Sequence, residues 1–240
     1  MPTAREALLD AAHAALAGLP WSAVRMVDVA AAAGVSRQTL YNEFGSKEGM
    51  ARALVRREAD AYLQGVDRVL ASPAPPRRNL AAVAEWTVSE AFTRPVLRAL
   101  LTGCWGERLP APRPARAGAR ASAVPAQRRA DAGVPSPADL LGLARDRAAT
   151  ALRGDGEGDV RRSCEVVLRL ALSYVVAPAP VVASPFLGPP VLGPSGGAEG
   201  RRTDGQWAEP ESWSPMTPTM TSVIDTIFNV DTTSPRKIIP

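Results

Sequence analysis

The sequence predicts an all-α protein, and three observations support this fold class. Apolar residues recur every three or four positions through most of the first 177 residues, which places them on one face of a helix. Residues that favour helix starts precede several of these stretches, and Gly or Pro follows them. The composition, 46% hydrophobic but only 5% aromatic, permits a core built from Ala, Leu and Val. We therefore expect helices packed into one or two domains.

The N-terminal segment carries the first helix signal. Thr3 and Glu6 have the spacing of a capping box, in which each side chain accepts a hydrogen bond from the other residue's backbone amide. Apolar residues then recur at helical spacing up to Leu19, and the pattern predicts a helix over about residues 4–17.

Two shorter helices follow, separated by a sharp turn. The apolar pattern of residues 26–33 predicts a helix that ends at Gly34, because glycine best adopts the left-handed conformation of a helix end. Ser36 is suited to be the N-cap of the next helix, residues 36–44. The turn between the two helices is then only three or four residues long, which is typical of a helix-turn-helix.

The second of these helices has two different faces. At about 100° per residue, Leu40 and Phe44 fall on one side and Gln38 and Asn42 on the other. Thr39 and Tyr41 flank the outward amides and add two hydroxyls. A polar outer face on such a short helix indicates a surface for contact, and side-chain amides can bond adenine in the major groove of DNA.

The motifs in this region resemble the DNA-binding region of the TetR family of bacterial regulators, over roughly Ala4 to Met50. The matching residues are Ala33-Gly34-Val35-Ser36, Thr39-Leu40-Tyr41, Phe44 and Ser46-Lys47-Glu48. The resemblance implies a three-helix DNA-binding head at residues 1–47, a helical ligand-binding and dimerisation domain at 48–177, and a homodimer on a palindromic operator.

Seven residues are the predicted DNA contacts: Arg25, Arg37, Gln38, Thr39, Tyr41, Asn42 and Lys47. The resemblance assigns phosphate contacts to Thr39, Tyr41 and Lys47. Gln38 and Asn42 are expected to bind base edges, and Arg37 can reach guanine or phosphate. The sequence departs from the family at Arg25, where a hydroxyl cap is usual, and at Asn42, where an aromatic residue or histidine is common.

The rest of the predicted helical region is read from periodicity and from Pro and Gly breaks. We expect a long helix from Lys47 to about Leu70, helices over 80–92 and 95–101, a loop over 103–137 with one helix near 126–132, and an antiparallel pair of helices over 137–152 and 160–177. In the TetR family this last pair forms a four-helix bundle across the dimer axis. The open alternative is that the pair only completes the monomer core.

Ligand binding follows from the resemblance alone. The family's pocket lies among the helices between the head and the dimer hairpin, and Trp86, Phe92 and Trp105 are its candidate lining residues in this chain. The same three residues could equally be ordinary core residues. The resemblance also implies a repressor, with a regulator that lacks ligand sensing as the alternative.

Residues 178–240 differ in composition from the rest of the chain. They hold eleven of the 23 prolines, and every isoleucine of the protein lies in the last 17 residues. Such composition is typical of disordered, low-complexity chain. We expect a disordered tail that lies outside the family's fold.

Other classes of function have little support in the sequence. The chain has one histidine and shows no nucleophile motif, phosphate-binding glycine loop or metal-ligand spacing, so an enzyme or a helical carrier is a remote alternative and neither cofactor nor metal is expected. Cys104 and Cys164 are isolated, as in a reduced compartment. With no signal peptide or membrane span, we expect a cytoplasmic protein, associated with the nucleoid when bound to DNA. The net charge of +4 supports a polyanion partner only weakly, because residues 1–70 hold eight basic and eight acidic side chains.

Overall fold

The computed structural model describes residues 3–113, 133–152 and 157–178, and the regular secondary structure in these ranges is helical, with no strand. In chain order the helices are α1 (Ala4–Gly18), α2 (Met26–Ala32), α3 (Arg37–Phe44), α4 (Lys47–Leu70), α5 (Pro76–Thr93), α6 (Pro95–Thr102), α7 (Pro137–Ala151) and α8 (Glu157–Val176), with a 3₁₀ turn at Trp21–Ala23. The all-α prediction is confirmed. None of these helices is long and apolar enough to cross a membrane.

Side-chain caps form at the starts of α1, α3, α4 and α7, and the caps of α1 and α3 are those that the sequence predicts. Thr3 and Glu6 make the reciprocal capping box of α1, and Ser36 and Ser46 accept bonds from the amides of Thr39 and Gly49. Ser136 caps α7 in the same way. Each such cap satisfies an amide that the first helical turn leaves without a partner, and is worth about 1 kcal/mol.

Helix ends also follow the predicted breaks. Gly34 has φ of 66°, a left-handed conformation that ends the α2 region and that other residues rarely adopt. α8 begins three residues earlier than the periodicity indicated, at Glu157 instead of Val160. α5 likewise begins at Pro76, four residues before the predicted start at residue 80. The apolar pattern sets no sharp limit at a helix end. The predicted helix near 126–132 and the predicted disordered tail fall outside the described residues.

The described helices pack around two apolar clusters. The first joins α1, α2 and α3 to the start of α4 and includes Leu8, Val29, Leu40, Phe44 and Leu54. We call this unit the head. The second, which we call the body, joins the rest of α4 to α5–α8. α4 contributes residues to both clusters and therefore connects the head to the body.

Helices α7 and α8 form the predicted antiparallel pair. Arg145 of α7 is paired with Glu165 of α8, and Asp146 with Arg161, so residue numbers rise along one helix as they fall along the other. α8 also packs against α5, and α7 against α4. Both helices therefore belong to the body core of a single chain, whatever else they contact.

Candidate nucleic-acid interface

Helix α3 has the two faces that the sequence predicts. Leu40 and Phe44 are buried in the head cluster, at 0% and 1% exposure, while Gln38 and Asn42 are exposed to solvent. Tyr41 is also exposed, at 46%, which is unusual for a large aromatic side chain. The residues of this polar outer face, Arg37, Gln38, Thr39, Tyr41 and Asn42, are called the recognition face below.

Hydrogen bonds within α3 fix part of the recognition face. Nε2 of Gln38 donates to Oδ1 of Asn42 over 2.9 Å, one helical turn away. The hydroxyl of Thr39 lies 2.9 Å from that of Ser36, which also accepts from the Thr39 amide at 3.0 Å. The two amides and the Thr39 hydroxyl are thus held in defined orientations before any partner binds.

Arg5 of α1 contacts the C-terminal end of α3, although the sequence pattern assigned this residue no role. Its guanidinium carbon lies 4.7 Å from the centre of the Phe44 ring, and Nη1 donates to the backbone oxygen and to the carboxylate of Glu43, both at 3.4 Å. α1 therefore holds the C-terminal end of α3. No local pattern could reveal this contact, because it joins residues 38 positions apart.

Lys47 differs from a freely exposed phosphate ligand. Its ammonium donates to the backbone oxygen of Ser22 at 3.0 Å and lies 5.4 Å from the centre of the Trp21 ring. Partial burial lowers the pKa of Lys47 from its ordinary value. The side chain thus ties the start of α4 to the connection between α1 and α2, a role that its position in the motif did not indicate.

Arg25 stands at the N-cap position of α2 and makes no side-chain cap, as predicted. Its Nε lies 3.7 Å from the Asp28 carboxylate, and both side chains are largely exposed. Such an exposed pair contributes little to stability. Arg25 can therefore leave Asp28 for an external anion at small cost.

The three candidate pocket residues have different surroundings. Trp86 stacks on Tyr62 with ring centres 5.6 Å apart, and the Phe92 ring lies 5.6 Å from the Arg98 guanidinium. Trp105 lines a cavity between α4, α6 and α7 that contains neither of the others. Trp86 and Phe92 thus contact neighbouring side chains, and Trp105 has open space beside it.

The described residues were compared with the requirements of a metal site. Across the ranges 3–113, 133–152 and 157–178 no three His, Cys, Asp or Glu side chains come close enough to hold a metal ion. His13 is half-exposed, with Nδ1 3.8 Å from the Glu58 carboxylate. Both cysteines are free, Cys104 at the surface and Cys164 in the core.

Comparison with known proteins identifies the head. Residues 8–54 match the family model described as bacterial regulatory proteins, tetR family. The head of this chain is a tetR-family domain. This result confirms the resemblance and, with the recognition face on α3, the predicted helix-turn-helix.

Two individual proteins are also similar to this chain. The HTH-type transcriptional regulator AlkX of Mycobacterium tuberculosis is 48% identical over 62 residues, which are 26% of this chain and 29% of that protein. The chain thus matches less than a third of the length of this curated relative. A crystal structure of the TetR family repressor AlkX from Dietzia sp. strain DQ12-45-1b, implicated in biodegradation of n-alkanes, is 23% identical with a TM-score of 0.43, covering 73% of this chain and 84% of the other.

Proposed function

We propose that this protein is a DNA-binding transcriptional regulator that binds a palindromic operator as a homodimer and acts as a cytoplasmic repressor controlled by a small molecule. The observation that carries the proposal is the recognition face, an exposed set of amides and hydroxyls on a capped helix in a tetR-family head. The 48% identity to a named regulator falls on part of each chain and supports the same function.

The recognition face fits the chemistry of a major groove. Gln38 and Asn42 are expected to bond adenine edges, and Arg37, at the N-terminal end of α3, to bond guanine or a phosphate. Thr39 and Tyr41 flank them with hydroxyls that suit phosphate oxygens. Lys47 and Arg25 add positive charge next to this surface. The outer face of α3 thus combines groups that can bond base edges with groups that can bond the phosphates of DNA.

A dimer is required because one head makes too few contacts for specific binding. Two recognition helices must lie about 34–36 Å apart, one turn of DNA, for both to enter the same side of the duplex. The exposed apolar side chains of α7 and α8 support the predicted dimer face: Leu143, Val166 and Val176 are 46%, 39% and 64% exposed. Covering them against a second copy removes apolar surface from water.

Dimer formation can be tested by sedimentation. Val166→Glu places a charge in the proposed interface, so we expect dimeric wild type and monomeric variant. Leu19→Glu is the matched control, because Leu19 is equally exposed, at 48%, but lies in the head. A dimer unaffected by Val166→Glu would contradict the proposed face.

DNA binding can be tested by selecting operators from random duplexes and from the region upstream of the protein's own gene. We expect a salt-sensitive complex with a near-palindromic site, weakened by Gln38→Ala. Gln64→Ala is the control, since Gln64 is an exposed amide on the body part of α4. Failure of the wild type to select any sequence, or equal binding by both variants, would refute the proposal.

A further inference from the structure

Helix α3 carries one acidic side chain, Glu43, beside the polar groups of the recognition face. Glu43 follows Thr39 by four residues, so the two side chains lie one turn apart on the same side of the helix, with Cβ atoms about 5–6 Å apart. A phosphate bonded by the Thr39 hydroxyl therefore lies at a distance from Glu43 comparable with the Debye length, about 8 Å at physiological salt. Left uncompensated, this carboxylate repels the DNA backbone on the side where α3 is expected to bond it.

The charge of Glu43 is compensated from α1, by Arg5. Nη1 of Arg5 lies 3.4 Å from the Glu43 carboxylate, and the two side chains are 23% and 25% exposed. Water and salt screen such a partly buried pair less than a fully exposed one. The same nitrogen donates to the backbone oxygen of Glu43 at 3.4 Å. Arg5 thus contacts both the charged group and the backbone of the last turn of α3.

The ring of Phe44 holds the Arg5 guanidinium beside Glu43. The guanidinium carbon lies 4.7 Å from the ring centre, a distance at which a cation is attracted to an aromatic face. Phe44 is buried, and its backbone oxygen is so close to α4 that a Cβ at Gly49 would lie 1.9 Å from it. The amide of Ser46 donates to the same oxygen at 2.7 Å. The end of α3 and its arginine partner are therefore fixed to the head without a contribution from DNA.

We infer that Arg5 is a positioning residue for DNA recognition, which neutralises Glu43 and so allows the Thr39 side of α3 to approach the phosphate backbone. Arg5 acts through Glu43 and not by a contact of its own with DNA. The inference rests on the proposed function, and it adds to the DNA-binding machinery a residue of α1 that lies outside the helix-turn-helix. Arg5 should therefore contribute to DNA affinity only while Glu43 carries its charge.

This dependence can be measured with four full-length proteins: the wild type, Arg5→Met, Glu43→Gln and the double variant. Fluorescence anisotropy of the labelled operator, selected as described above, gives their dissociation constants. Arg5→Met keeps an unbranched side chain but leaves Glu43 charged, so we expect the affinity of the dimer to fall about tenfold. In the Glu43→Gln background the same change should alter affinity by less than about threefold, because no carboxylate is left to neutralise.

Three further variants separate charge from packing. Arg5→Lys retains the positive charge with a different shape, and its affinity should stay within about threefold of wild type. Arg5→Gln removes the charge but keeps a hydrogen-bonding group, and it repeats the cycle independently of Arg5→Met. Arg57→Met is the matched control, because Arg57 of α4 is 30% exposed and pairs with Asp10 of α1, so its loss should change operator affinity by less than about twofold. Urea unfolding of each protein checks that binding is measured on folded chains.

Equal losses of affinity from Arg5→Met in the two Glu43 backgrounds would overturn the inference, because Arg5 would then act without Glu43. Undiminished binding by Arg5→Met would overturn it as well, as would a loss in Arg5→Lys or in Arg57→Met as large as that in Arg5→Met. Any of these results, with a wild type that selects an operator, leaves the proposed function intact. A wild type that selects no operator refutes both.

Discussion

The side-chain amides of Gln38 and Asn42 are bonded to each other, Nε2 to Oδ1 over 2.9 Å, on the exposed side of α3. The bond occupies one donor of Gln38 and one lone pair of Asn42. Each amide keeps a donor and an acceptor that can bond a base edge. The two side chains can therefore contact bases together, as one hydrogen-bonded unit. The two amides are already aligned without a partner, which would lower the entropy cost of ordering them on the proposed DNA site.

We predict that Gln38 and Asn42 act jointly in operator recognition. Gln38→Ala and Asn42→Ala should each reduce the binding free energy that discriminates against a wrong base by about 1–3 kcal/mol, at the base pair that the residue contacts. The double variant should lose less than the sum, because either single change already breaks the shared bond. Gel shifts on duplexes with single base-pair changes measure all three costs, and strict additivity would show that the two residues act independently.

Lys47 is predicted to serve both the head and the DNA. Lys47→Met keeps most of the side-chain stem but removes the bond to Ser22 and the charge above Trp21. The free energy of unfolding, measured by thermal unfolding, should fall by about 1 kcal/mol, the usual contribution of such a bond. The slope of log affinity against log salt should fall by about 0.9 per chain if Lys47 also contacts phosphate. An unchanged slope would restrict Lys47 to its structural role.

Gly65 is predicted to be essential for the packing of α5 on α4. A Cβ at this position would lie 2.1 Å from the end of the Trp86 ring, which is itself stacked on Tyr62. Gly65→Ala should therefore destabilise the protein by about 1–3 kcal/mol in urea unfolding.

Two further variants identify the cause of that loss. Trp86→Leu in the Gly65→Ala background should restore part of the stability, because the shorter side chain makes room for the methyl group. Gly18→Ala, at a helical glycine with open space around its Cβ position, should be neutral or slightly stabilising. Equal destabilisation by the two Gly→Ala changes would show that the Trp86 contact is not responsible, because helix propensity favours alanine at both positions.

The two thiols should differ in reactivity. Cys104 is exposed, whereas Cys164 is buried in the body core and burial raises its pKa to about 11. At pH 8 a thiol-reactive disulfide reagent should modify one thiol per native chain and a second only on unfolding. Cys104→Ser should remove the fast phase; a fast phase that survives this change would contradict the burial of Cys164.

The raised pKa of Cys164 also has a pH consequence. The folded state keeps the proton to higher pH than the unfolded state, whose thiol titrates near 9. The free energy of unfolding should therefore decline from about pH 9 to about pH 11 through this group. In Cys164→Ala this part of the decline should be absent, and an identical alkaline profile would contradict it.

Arg94 lies between α5 and α6 and should stabilise their contact with α4. Its Nη2 lies 2.7 Å from the buried Glu58 carboxylate and its Nη1 3.0 Å from Glu90. Among the described residues, Arg94→Gln leaves the buried Glu58 carboxylate with His13 at 3.8 Å as its remaining ionic partner. The free energy of unfolding in urea should therefore fall by about 1–3 kcal/mol. Adding Glu58→Gln should restore part of the lost stability, because it removes the buried charge. If stability is not restored, the loss in Arg94→Gln comes from packing.

Much of the helical architecture follows from short-range information. A cap such as Ser36 and its target amide at Thr39 are three residues apart, and the burial of Leu40 and Phe44 follows from helical periodicity. These features depend on interactions within one or two turns, which the sequence displays directly. The same locality explains the success of the helix-turn-helix prediction, since its parts lie within about twenty residues.

The sequence by itself determined the helices, their caps and the outward polar face of α3, because these depend on residue spacing and local hydrogen bonds. Only the tertiary structure decided that Arg5 contacts the C-terminal end of α3 and that the Lys47 ammonium bonds the backbone oxygen of Ser22. It also decided that Arg52 is buried beside a cavity. Each of these joins side chains to distant parts of the chain. Such contacts arise from how amphipathic helices pack, and helical periodicity specifies the face that is buried but not the partner that covers it.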